Sequence, residues 1–358
     1  MPDESRMRVL MVSPAYPPDR CGVGDYTCHL AERLARRGRV QLGVLTASSQ
    51  AQRESEGPEL LHASHGRVSA GALSGAIRAF RPDLVHIQYP TRRDISPFVP
   101  FLARRIHRLP VVQTWHEHYS ECGLVTPANL LGLDVLIHVR ADLPARLPPR
   151  IARCLAGRPV LHIPNGRTIP AVVMSAAERE DERRRLSGGR PIVAFLGFAY
   201  PNKGAHLLFE IADPERHHLL FVGELDPGND YQRAILETSR SGPWAGHVTS
   251  TGYLPTVEAG RMLAACDAAV FPFPDGVGDW NTSVNAALAS GTLVLATARD
   301  EARHGYDAER NLLLAPCGDV GALRAGLAAH LGSRRAARPH DDWEDIAAQH
   351  EKVYANIL

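Results

Sequence analysis

The sequence predicts an α/β protein built from two doubly wound domains, each a parallel sheet covered by helices on both faces. Length is the first reason: 358 residues exceed one ordinary hydrophobic core and call for two. Pattern is the second. Short apolar runs such as MRVLMVS, DLVHIQYP, IVAFLG and HHLLFVG alternate with stretches of helical spacing, and strands alternating with helices require parallel pairing through crossovers. The third is a charged, Gly-terminated stretch, Met174 to Arg190, lying between two halves that repeat the same theme. The expected boundaries are 1–172 for the first domain, 173–190 for a linker, 191–338 for the second domain, and 339–358 for a final helix.

In the first half, Met7 to Ser13 reads as a buried strand. A Pro/Gly-rich loop, AYPPDRCGVGD, leads into the helix YTCHLAERLARRG, with Leu30 and Leu34 on one face and Gly38 as its stop. VQLGVLTA is a strand, and the polar stretch Ser48 to Arg67 reads as loop. Next come helix GALSGAIRAFRP, strand DLVHIQYP, helix FVPFLARRIH, and strands PVVQTWHE, DVLIHV and PVLHIPNG. The second half reads as strands IVAFLG, HHLLFVG, HVTSTG, AAVFPF, TLVLAT and NLLLAP. Its helices are GAHLLFEIA, DYQRAILETS, TVEAGRMLAACD, TSVNAALASG and DVGALRAGLAAHLG. The last stretch, DDWEDIAAQHEKVYANIL, is an amphipathic helix anchored by Trp343, Ile346, Val353 and Tyr354.

Composition excludes several classes. Lys+Arg 40 against Asp+Glu 39 leaves a net charge of +1, so no nucleic-acid partner is indicated. No apolar run is long enough to span a membrane. The first half has no long amphipathic basic helix, so attachment to a lipid surface is not predicted. The acidic start MPDES does not read as a signal peptide, and the six cysteines form no CxxC pair, so the expected compartment is the cytoplasm.

The residues that carry chemistry cluster after the predicted strands. Lys203-Gly204 follows the strand ending at Gly197 and opens a predicted helix, placing a cation and free N–H groups where a diphosphate binds. A cation at a helix start is disfavoured unless an anion is bound; an ordinary solvated lysine is the alternative. Gly22 and Gly24, just before a predicted helix, allow close approach of backbone to a phosphate, or form a plain turn. Arg20 beside them would add charge. Thr282 and Ser283 begin a helix and offer N–H and hydroxyl groups to phosphate oxygens, or serve as caps. His116 ends a strand at the carboxyl edge, where α/β ligands bind; a satisfied core histidine is the alternative. Glu224 follows a strand at the same edge of the second domain. His116, Glu117 and His118 lack the HExxH order and a third ligand, so no metal is predicted.

Taken in order, these segments resemble a family. PAYPPDRCGVGDYTCHLAERLARRG, RPDLVHIQYP, PVVQTWHE, VLHIPNG, FLGFAYPNKG, FVGE, STGYLP, CDAAVFPF and ALASGTLVLAT run collinearly with the segments of GT-B fold retaining glycosyltransferases, close to family 4, over nearly the whole chain. The resemblance implies two Rossmann-like domains facing a central cleft. It implies transfer of a sugar from a nucleoside-diphosphate sugar, with retention, to a small-molecule or glycan acceptor. The donor is a co-substrate, and no cofactor is implied. By the same resemblance His116 contacts the transferred sugar, Lys203 holds the diphosphate, and Tyr253 and Leu254 meet the nucleobase, although core or rim packing also suits Tyr253.

The match departs from the family at two places. Its two glutamates eight positions apart are absent: Val277 stands at the first and Asn285 at the second, with Asp275 and Asp279 nearby as substitutes. Its arginine ahead of the lysine is replaced by Phe198 or Tyr200. These losses keep a second reading open, a GT-B scaffold that binds donor without transfer, and a third, another chemistry such as epimerisation of a nucleotide sugar.

Overall fold

The computed structural model describes residues 6–19, 21–52, 57–63, 66–89, 94–117, 127–299, 304–306 and 311–358. The side chains of residues 94, 127 and 128 are outside that description. The chain forms two compact units, Met1–Gly166 with Asp341–Leu358, and Arg167–His340.

The first unit holds a seven-stranded, all-parallel sheet. Its spatial order is Glu59–His62, Val40–Thr46, Met7–Val12, Leu84–Tyr89, Val111–Trp115, Val135–His138 and Val160–His162. The order reverses between Met7–Val12 and Leu84–Tyr89, the place where connections leave to opposite faces and the sheet edge opens. Val9 to Val12 and Leu84 to Tyr89 are buried, as parallel strands covered on both faces must be. One strand of this sheet was not foreseen, nor was the separate short pair Arg67–Val68 and Asp94–Ile95. Glu59–His62 lies inside the stretch read as loop, because an edge strand with half-exposed residues shows no buried apolar run.

The predicted helix FVPFLARRIH is also different. Val99–Phe101 is a single α turn, and Leu102–Ile106 widens into a π-helix closed by His107 N to Leu102 O at 3.0 Å. The final helix, Asp342–Ile357, packs on the first helix, Gly22–Arg37. Arg37 grips the nearly buried Glu351 with two hydrogen bonds of 2.9 and 3.0 Å, and Arg33 pairs with Asp341 and Glu344. Trp343 fills the space left by the missing Cβ of Gly166.

The second unit repeats the plan with six parallel strands. Their order is Val248–Ser250, His218–Val222, Ile192–Leu196, Ala268–Phe271, Leu293–Ala298 and Leu312–Pro316, reversing between Ile192–Leu196 and Ala268–Phe271. Phe195, Phe221 and Phe271 pack side by side in its core. The charged segment read as helix or linker is the helix Ala176–Ser187, started by a Ser175–Glu178 capping box and stopped by Gly188. It buries no residue, and Arg183 ties it to Asp267 at 3.2 Å.

Candidate active site

Most of the predicted residues follow strand ends at the carboxyl edge of their sheet, where open α/β sheets bind ligands; Lys203 is beside the reversal point of the second sheet, and Tyr253 and Leu254 follow its outermost strand, Val248–Ser250.

In the second unit, Lys203 stands in the loop after Ile192–Leu196. The expected helix GAHLLFEIA is not continuous. Pro201–Lys203 and Ala205–Leu207 are 3₁₀ turns, and Leu208–Ile211 is one α turn. Gly204 breaks it. Its φ of +62° is left-handed, and a Cβ there would lie 2.3 Å from the carbonyl oxygen of Pro272. The helix-dipole argument for Lys203 therefore falls, since so short and broken a segment has little dipole. The loop is instead pressed against the segment that follows the neighbouring strand. Lys203 Nζ lies 4.2 Å from the ring centroid of Phe273, a cation–π contact that holds the charge at the reversal point.

Past Phe273, the chain folds back on itself. Val277 is 3% exposed and its N–H donates to Thr297 O at 2.8 Å, so the first glutamate position of the family is part of the core here. Asp275 is on the surface, paired with Arg299. Thr282 and Ser283 are the first two residues of the helix Thr282–Ala289, not its cap. The cap is Asn281, whose side chain turns back to accept from Gly278 N at 2.9 Å and makes no bond to the helix start. Asn285 donates through Nδ2 to Asp279 O at 2.7 Å. Its Oδ1 is buried and has no hydrogen-bond partner among the described residues. A buried acceptor of that kind is ordinarily satisfied by a ligand or a water.

Glu224 is half-buried after Gly223, whose N–H donates to Thr251 Oγ1 at 3.2 Å. Leu254 packs against the core, whereas Tyr253 is 67% exposed, which removes core packing as its role.

In the first unit, Gly22 and Gly24 sit within the first turn of the helix Gly22–Arg37 rather than ahead of it. Gly24 has a packing reason: a Cβ there would lie 3.1 Å from Ala15 O, so glycine lets the helix close onto the loop after the first strand. Gly22 faces open space. Asp25, also in this turn, has its carboxyl pushed up to about 6 by burial. An acid in this turn weakens the case for a phosphate at Gly22. Arg20 and His118 lie outside the described residues.

His116 follows the strand Val111–Trp115, is 8% exposed, and has its N–H held by Tyr89 O at 2.7 Å. Its Nε2 donates to Gln88 Oε1 at 2.8 Å, and Tyr26 packs edge-on to its ring at 4.6 Å. Gln88 in turn donates to His86 Nε2 at 3.3 Å, which also accepts from Thr114 Oγ1 at 2.8 Å. His86 Nδ1 reaches Tyr354 Oη at 2.7 Å, and Tyr26 Oη reaches His350 Nε2 at 3.5 Å. Burial, and then the neighbouring His350, pushes His116 down to about 3; burial pushes His350 down to about 4 and His86 well below its ordinary value. The three rings are therefore neutral at pH 7. His116 is a poor general base but a fixed neutral hydrogen-bonding group.

Gln88, His86, Tyr26 and His350 were not anticipated as part of this site. A signal existed. His86 and Gln88 are polar residues two apart in an otherwise apolar strand, hence on one face, and His350 and Tyr354 are four apart on one helical face. Among the described residues, no group of three His, Cys, Asp or Glu is arranged to hold a metal ion.

Two parallel, doubly wound sheets with polar groups at their carboxyl edges define a two-unit α/β fold class, and comparison narrows it. Residues 21–133 match the family model described as a glycosyl transferase 4-like domain, and residues 190–332 match that of glycosyl transferases group 1. The chain belongs to the GT-B glycosyltransferases. A GDP-mannose-dependent alpha-mannosyltransferase of Mycolicibacterium smegmatis is 26% identical over 322 residues, 81% of this chain and 79% of that one. Among solved structures, sucrose-phosphate synthase from Thermosynechococcus elongatus is similar with a TM-score of 0.75 and 18% identity, covering 98% of this chain and 99% of that one. Anabaena HepE, solved with UDP and glucose, is similar with a TM-score of 0.64 and 16% identity, covering 98% of both. At those identities the structures speak for the fold alone.

Proposed function

We propose that this glycosyltransferase uses a nucleoside-diphosphate sugar and transfers the sugar to a polar acceptor hydroxyl with retained anomeric configuration. The observation that carries the reading is Lys203, fixed over Phe273 at the reversal point of the second sheet. A cation held there stabilises the charge that grows on the β-phosphate as the glycosidic bond breaks. The N–H groups of Thr282 and Ser283, left without a side-chain cap, are donors for phosphate oxygens, and Asn285 Oδ1 is an acceptor for a ribose hydroxyl. Tyr253 and Leu254 border the nucleobase, and Glu224 and Asp275 follow the carboxyl ends of the strands His218–Val222 and Ala268–Phe271.

The acceptor oxygen bonds to the anomeric carbon on the face the diphosphate leaves. The carbon–oxygen bond to phosphate breaks, and the hydroxyl proton passes to the departing phosphate oxygen. Such a step asks the protein for positioning and electrostatics, with neither a metal nor a side-chain base. Neutral His116 hydrogen-bonds the transferred sugar. The acceptor is a small molecule or a glycan.

The test is calorimetric titration with GDP, UDP, ADP and dTDP, with and without Mg²⁺. GDP comes first because the mycobacterial relative uses GDP-mannose. Binding of one nucleotide that Lys203→Ala removes supports the reading; binding of none, or binding indifferent to Lys203, overturns it. NMR of the product's anomeric proton reads retention directly.

A further inference from the structure

Four side chains of the first unit, His116, Gln88, His86 and Tyr354, form one line of hydrogen bonds from the sheet edge to the final helix. Each is at most 8% exposed. Gln88 stands opposite Thr114 in the pair Leu84–Tyr89 and Val111–Trp115. His86, Gln88, Thr114 and His116 therefore share one side of the sheet, the side that Tyr354 covers.

Every link has a direction. The Gln88 amide turns its oxygen to His116 and its NH₂ to His86. An amide oxygen only accepts, so the proton of His116 is on Nε2. An amide NH₂ only donates, so His86 Nε2 is bare, and it accepts from Thr114 Oγ1 as well. The proton of His86 is therefore on Nδ1, donated to Tyr354 Oη at 2.7 Å. Burial keeps both rings neutral, with a single proton each, and pushes the Tyr354 phenol well above its ordinary value, so its oxygen stays a hydroxyl. Such a line has two self-consistent states, and reversing one link reverses all. His350 stands outside it: its Nδ1 donates to Ile346 O at 2.8 Å within its own helix. The consequence falls on His116 Nδ1, which is bare and has no partner among the described residues. A bare nitrogen accepts from a sugar hydroxyl; a protonated one has to donate.

We propose that Tyr354 is a positioning residue: through His86 and Gln88 it fixes the tautomer of His116, so that Nδ1 meets the transferred sugar as an acceptor. This rests on the reading that His116 contacts that sugar. Without the Tyr354 oxygen, the Nδ1–H of His86 would be buried with no acceptor, and an orphaned N–H is tolerated less well than a bare lone pair. His86 then takes its proton on Nε2 and donates to Thr114 Oγ1. The Gln88 amide turns over, and His116 takes its proton on Nδ1. No ring changes its number of protons.

Nitrogen-15 NMR of histidine-labelled protein tests the line without any substrate, because it reads which ring nitrogen is protonated. Native His116 is expected to carry its proton on Nε2. In Tyr354→Phe the protonated signal is expected to move to Nδ1, with circular dichroism showing a folded chain. In a Gln88→Met background, which severs the line, adding Tyr354→Phe is expected to leave His116 unchanged. A native proton on Nδ1, an Nε2 proton that persists in Tyr354→Phe, or an equal response in the Gln88→Met background overturns the proposal. Where Tyr354→Phe does not fold, Gln88→Met decides alone: loss of the single Nε2–H form supports the proposal, and its persistence overturns it. Turnover of GDP-mannose by Tyr354→Phe is expected to fall about tenfold in kcat with KM kept. A moved proton with undiminished turnover would spare the line and overturn the contact of His116 with the sugar instead.

Discussion

At the edge of the first sheet, His116 is 8% exposed and joined through Gln88 to His86, Thr114 and Tyr354. At the edge of the second, Lys203 is half-buried over Phe273, and Tyr253 is 67% exposed. One edge keeps its polar groups neutral by burying them. The other keeps a charge and uncapped N–H groups within reach of solvent. The difference follows from what each can bind. A diphosphate is a dianion and needs compensating charge, whereas a sugar hydroxyl needs a fixed neutral partner, because a buried charge would cost several kcal/mol.

Lys203→Ala is the severest test of this contrast. It is expected to lower kcat/KM by about a hundredfold or more, with unchanged circular dichroism, because charge stabilisation at the leaving group is usually the largest single contribution. Near-normal turnover would break the comparison. His116→Ala is expected to cost about tenfold to a hundredfold, mainly in kcat, and His116→Gln less, since a neutral hydrogen-bonding group survives. If both variants lose the same amount, the imidazole itself is required.

Gln88→Glu tests neutrality directly. A carboxylate beside Nε2 favours the imidazolium, so the His116 pKa rises from about 3. The native enzyme's kcat is expected to be flat from about pH 6 to 8, and the variant's to change across that range. An unchanged profile would show that His116 does not take part. Asn285→Ala is expected to weaken nucleotide binding about threefold to tenfold, the loss of one hydrogen bond, read by calorimetry.

Acid stability is the last and broadest check. Unfolded histidines titrate near 6.5, but folded His116 and His350 titrate at about 3 and 4, and His86 is also lowered. Below pH 6.5 the unfolded chain binds more protons, so stability falls as pH drops from 6.5 towards 4. Asp25, raised to about 6, works in the opposite sense, and Asp25→Asn should steepen the acid loss. Urea midpoints measured at several pH values give both slopes.

Much was legible in the chain beforehand. The strand runs from MRVLMVS to NLLLAP and the long helices are local signals: a buried parallel strand must be a continuous apolar run, and a half-buried helix must show a 3.6-residue stripe. Lys203 and His116 stood out because they follow such runs, and the topology then carries them to the sheet edges; Asn285, inside a helix, stood out only because the family has a glutamate at its place. What the sequence left open was decided by contacts between distant segments. Gly204 breaks the expected helix because Pro272, 68 positions away, closes upon it. Val277 is part of the core because Thr297 pairs with its backbone. His116 is neutral because Gln88, His86, His350 and Tyr354, drawn from one neighbouring strand and the final helix, shut water out around it. Periodicity depends on neighbours in the chain and can be read from it. Burial, protonation and the end of a helix depend on neighbours in space, and only the folded chain supplies them.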